Sequence, residues 1–70
     1  MMPLVFANAG EENIVRKIGG SPEVRQHLAE LGCNVGAGVT SVNAIGGNVI
    51  VKIKESRVAI SKEMAQKIMI

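Results

Sequence analysis

Asn48-Val49-Ile50-Val51-Lys52-Ile53-Lys54-Glu55-Ser56-Arg57-Val58-Ala59-Ile60 is two alternating runs broken by one polar triplet. In the first run Val49, Val51 and Ile53 share one side and Ile50, Lys52 and Lys54 the other, because successive side chains of a strand point to opposite faces. Lys54-Glu55-Ser56 turns the chain, and residues 57–60 return with Val58 and Ile60 on the aliphatic side. One face is dry and the other mostly charged, the pattern of an antiparallel sheet with a single wet side.

Upstream, Ile45-Gly46-Gly47-Asn48 joins this run to an earlier one at 39–44, with paired Gly and Asn supplying the positive φ angles of a short hairpin turn. Asn34-Val35-Gly36-Ala37-Gly38 holds too much glycine to be regular and launches that strand. Before it, Ser21-Pro22-Glu23 starts a helix at about 22–31: a serine N-cap, a proline where no N–H is missed, and an acid favoured by the dipole. Val24, Leu28 and Leu31 form its apolar stripe, and Gly32 closes it. Residues 12–18 read as one half-buried strand with Ile14 and Ile18 on the same face, ended by Gly19-Gly20. Downstream, Ser61 caps a short helical turn at about 62–67 and Ile68-Met69-Ile70 supplies a last strand. The order is β, α, β, β, β, helical turn, β with no long crossover. The expected fold is mainly β, a small five-stranded SH3-like barrel that closes on itself and so removes its sheet edges.

With 70 residues, 47% of them apolar, the chain suits one domain spanning 1–70 and excludes a large multi-step enzyme. Phe6 is the only aromatic, so stacking platforms for single-stranded nucleic acid are nearly absent. The formal charge of +2 is mild, and no three basic residues are consecutive, which weighs against dense phosphate binding. Cys33 has no second cysteine to pair with, pointing to a reducing compartment. The apolar runs are far shorter than the roughly 20 residues that span a bilayer, and no signal peptide is legible, so a cytoplasmic location is expected.

No residue set assembles a catalytic or metal site. His27, flanked on its helix by Glu23 and Glu30 and followed by Cys33, lacks the second cluster a convergent ligand set requires, so no metal residues are assigned. Cys33 suits a small buried position just past the helix end. Ser21 and Ser61 are explained as caps, Ser41 and Ser56 as strand and turn residues, and the chain has no Asp to complete a triad. Gly19-Gly20 before Ser21 lacks the Gly-Lys-Ser/Thr ending of a phosphate loop. No catalytic residue and no cofactor site are expected. Lys52, Lys54 and Arg57 fall on one hairpin and could share its outer face, either as a solvated edge or as a partner patch.

Arg25-x-x-Leu28-x-x-Leu31-Gly32-x-x-x-Gly36-x-x-Val39, then Asn48-Val49-Ile50-Val51 and Arg57-Val58-Ala59-Ile60-Ser61-x-Glu63-x-Ala65, resembles the ferrous iron transport protein A (FeoA) family over nearly the whole chain. Cys33 stands where the family pattern has a larger apolar residue. The resemblance implies a small SH3-like domain without catalysis of its own. It also implies an accessory or regulatory role beside a separate membrane protein, the GTPase-coupled ferrous iron transporter B, and kinship with the C-terminal domain of iron-dependent repressors. A nucleic-acid-binding barrel and a metal-sensing domain are the rival readings. The expected partner-binding residues are Lys52, Lys54 and Arg57, with Arg25 on the helix as the other surface. Self-association is possible; nucleic acid is not expected as a partner.

Overall fold

The computed structural model describes residues 1–70. A 3-10 turn at Leu4–Phe6 is followed by strands β1 (Glu12–Ile14) and β2 (Lys17–Ile18), helix α1 (Pro22–Glu30), strands β3 (Gly38–Ile45), β4 (Asn48–Ile53) and β5 (Ser56–Ser61), helix α2 (Lys62–Lys67) and strand β6 (Ile68–Met69). The class is mainly β, as expected, but there are six strands rather than five. They form two sheets, one ordered β1-β3-β4-β5 and one pairing β2 with β6. All pairings are antiparallel. The barrel does not close through hydrogen bonds, so β1 and β5 remain edges of the larger sheet.

The sixth strand arises because the expected strand at 12–18 breaks in the middle. Val15 leaves the sheet: its N–H donates to the Ala37 carbonyl at 2.9 Å and its carbonyl accepts from the Gly36 N–H at 2.8 Å. The glycine-rich loop thus satisfies the backbone of Val15, and the chain passes from one sheet to the other there. The break also inverts the faces. Val15 is fully buried, whereas Ile14, expected inside, is 48% exposed.

Helix α1 forms for the reasons its sequence gives. The Ser21 hydroxyl accepts from the Val24 N–H at 3.3 Å, Pro22 occupies the first turn and Glu23 faces the helix N-terminus. Its end is a Schellman motif one residue earlier than expected. The Cys33 N–H donates to the Leu28 carbonyl at 2.9 Å and the Gly32 N–H to the Ala29 carbonyl at 3.0 Å, with Gly32 at φ 96°. This motif commonly brings the residue after the glycine onto the last apolar residue of the helix, and both Cys33 and Leu28 are fully buried. Of the expected stripe, Leu28 is fully buried, and Val24 and Leu31 are half-buried and pack against the core.

The core lies between the inward faces of the sheets and α1. Val49, Val51 and Ile53 of β4 and Ile60 of β5 line it, as the alternation predicts, with Val58 half-buried beside them. Leu4, in the 3-10 turn, is fully buried too and had no periodic signal. The Ser61 hydroxyl accepts from the Met64 N–H at 3.1 Å, capping α2, whose Ala65 packs into the core.

Burial pushes the Cys33 thiol above its ordinary pKa by desolvation. Above the ordinary thiol range of about 8.5 the unfolded thiol ionises while the buried one keeps its proton, so the folded state binds more protons and stability falls as pH rises. Urea midpoints taken at pH 7 and at about pH 9.5 should therefore fall more in the wild type than in Cys33→Ala. Equal falls would show that the thiol contributes nothing to the alkaline loss.

Candidate functional site

The β4–β5 hairpin fixes where its cations lie. A two-residue connection at Lys54-Glu55 makes Ile53 and Ser56 the closing pair, after which Lys52 stands opposite Arg57, Val51 opposite Val58 and Ile50 opposite Ala59. Directly opposed residues share a face, so Lys52 and Arg57 project together to the wet side, and both are exposed. Counting outward from the bonded closing pair, Lys52 and Arg57 form a non-hydrogen-bonded pair, the kind with Cα atoms only about 4.5 Å apart. Like charges so placed repel and cost stability.

Lys54 carries a second local cost. Its φ is +56°, and it is the only non-glycine residue of the chain in the left-handed region. The matching position of the β3–β4 turn is Gly46, at φ 58°. Side chains in this region clash with their own backbone, a cost of about 1–2 kcal/mol that glycine avoids. Lys54→Gly recovers that cost less the roughly 0.5–1 kcal/mol of added unfolded-chain entropy. It should stabilise the fold by about 0.5–1 kcal/mol and raise the melting temperature by about 3–6 °C. A lower melting temperature would mean the lysine side chain stabilises the hairpin.

Across the sheet the same row continues from Lys52 to Thr40 of β3 and Glu12 of β1. The wet face therefore runs from an acidic edge to a basic one. The segment 52–57 holds three cations and one carboxylate; outside it five cations balance five carboxylates, so the chain's formal +2 resides in this hairpin.

Arg25 lies elsewhere. It is exposed in the first turn of α1, whose beginning borders α2: Val24 lines a shallow hollow of about 220 Å³ with Ser61, Glu63, Met64 and Lys67. The opposite end of α1 meets the hairpin, since a Cβ at Gly32 would lie 3.1 Å from Ile53 Cγ2. From Arg25 to Gly32 is about 10 Å along the helix axis. The hollow is not legible from α1 alone, because the spacing of Val24, Leu28 and Leu31 places Val24 on the inward stripe. It is smaller than the roughly 300–1,000 Å³ of small-molecule sites. His27 is exposed and Cys33 fully buried, and no three His, Cys, Asp or Glu side chains converge as metal ligands would. No helix is long and apolar enough to cross a membrane.

The capped helix against the core and the short helix before the last strand are as the sequence motifs lead one to expect, though the sheet is open, and comparison with known proteins agrees on the family. The FeoA domain family matches residues 2–70. The chain belongs to the FeoA family. It is 40% identical over 70 residues to an Fe(2+) transport protein A of Methanocaldococcus jannaschii, covering all of this chain and 85% of that one. A crystal structure of an iron uptake regulatory protein, FeoA, superposes with a TM-score of 0.88 at 31% identity, covering 97% of this chain and 90% of the other. A manganese-dependent transcriptional repressor shares the fold alone, with a TM-score of 0.85 at 20% identity over 94% of this chain and 38% of the repressor. FeoA membership ties the chain to ferrous iron uptake.

Proposed function

We propose that residues 1–70 act as one non-enzymatic, cytoplasmic accessory or regulatory domain of ferrous iron uptake. It works by contacting the GTPase-coupled membrane iron transporter through Lys52, Lys54 and Arg57. The observation that carries this reading is the clustering of two local costs in one hairpin: a like-charge pair, Lys52 opposite Arg57, and a lysine at positive φ, Lys54. Departures from local preference concentrate where a protein is shaped for something other than stability. Exposed cations of this kind steer association and set its salt dependence. Family membership supports the iron uptake role, and the curated relative's name is that of a transport protein.

The test is isothermal calorimetry with the purified GTP-binding part of the transporter at low and at physiological salt. The reading expects binding that weakens as salt screens the hairpin over about 8 Å. No binding at either salt contradicts it.

A further inference from the structure

Strand β5 is the long open edge of the larger sheet. It pairs with β4 on one side and with no strand on the other. The register set by the two-residue turn gives Ser56, Val58 and Ile60 the hydrogen bonds to β4, leaving the N–H and carbonyl groups of Arg57 and Ala59 directed outward. Both residues are exposed. Of the usual guards of a sheet edge β5 has a single charged residue, Arg57; it contains no proline, no bulge interrupts its pairing with β4, and Ala59 leaves its surroundings open. The opposite edge is different. β1 has three residues, and the chain leaves the sheet at Val15.

We propose that β5 is a strand-addition site for an extended acidic segment of a partner protein. This rests on the hairpin being the contact surface and specifies how the contact is made. A guest strand bonded to the outward amides of Arg57 and Ala59 places one side chain on the wet face directly beside Arg57, where a carboxylate faces one cation and relieves its repulsion with Lys52 one strand further in. Its neighbour in sequence falls beside half-buried Val58 and is best apolar. The guest is therefore an alternating acidic and apolar strand. A second copy of this chain fits poorly, because pairing β5 with β5 adds two further cations to a face already carrying Lys52 and Arg57. Glu55 is the one carboxylate of the hairpin and lies in the turn, beyond the paired positions.

The probe is a short blocked peptide alternating glutamate and valine, titrated into the isotope-labelled chain. Amide hydrogen exchange at Arg57 and Ala59 should slow on binding while Val58, already bonded to β4, changes little. A probe N-methylated on the amides that face β5 should bind at least tenfold more weakly, and so should the unmodified probe to Ala59→Pro, which lacks an outward N–H that β4 does not use. Because the methylated probe leaves the protein untouched, it decides the matter even if Ala59→Pro fails to fold. Equal affinity for both probes, no binding of either, or concentration-dependent protection of Arg57 and Ala59 without any probe overturns strand addition; the last identifies a second copy as the occupant. If Ala59→Pro still binds the transporter as the wild type does, the contact reading stands and strand addition falls. If the wild type binds the probe but not the transporter, the edge works and the assigned partner is wrong.

Discussion

Val51→Asp abolishes the cooperative melt. Val51 is fully buried in β4, between Ser41 of β3 and Val58 of β5, and Ser41 is the only polar residue among the buried ones. A carboxylate there has no cation to pair with, and the outward cations Lys52 and Arg57 lie on the other face of the sheet. Leaving a charge unpaired in such a site costs several kcal/mol even after its pKa rises to neutralise it. A domain of this size holds only about 3–5 kcal/mol, so the variant should be unfolded at room temperature. Far-UV circular dichroism and methyl dispersion in a proton spectrum suffice to check this, since the single aromatic, Phe6, gives little near-ultraviolet signal. A melt matching the wild type would show that the β4 interior has been assigned to the wrong face.

Reversing Lys52, Lys54 and Arg57 to Glu should leave the fold intact and weaken binding to the transporter's GTP-binding part by at least about tenfold at low salt. All three side chains are exposed, so no buried charge is created. The triple variant moves the formal charge from +2 to −4, two units for each residue, and inverts the basic end of the wet face. The loss should shrink toward physiological salt as the charges are screened. A folded triple variant that binds as the wild type does would shift the contact to the Arg25 side of α1, beside the hollow that Val24 shares with Met64 and Lys67.

What the sequence made legible follows from how local each determinant is. The caps Ser21 and Ser61 act on N–H groups three residues away, so both helices were readable from a few positions. The inward face of β4 follows from alternation alone. The break at Val15 does not: its partners, Gly36 and Ala37, lie about twenty residues further along, and nothing between Glu12 and Ile18 announces them. Leu4 is buried by its contacts with distant elements, from a turn too short to show periodicity. Closure of the barrel was expected because five strands with open edges are exposed to pairing; in the structure β5 keeps its edge. In the site, the opposition of Lys52 and Arg57 follows from turn length, whereas the left-handed backbone of Lys54 does not, since Lys-Glu carries none of the usual signals for positive φ. The separation of Arg25 from the hairpin depends on which end of α1 meets Ile53, which only packing decides.

The most direct measurement is a nitrogen–proton correlation spectrum of the labelled chain, recorded as the purified GTP-binding part of the transporter is added at low salt. The account predicts that the largest shifts and line broadening fall on residues 52–59, with the α1 amides around Arg25 nearly unmoved. Perturbations centred on α1 and α2, with the hairpin silent, would contradict it.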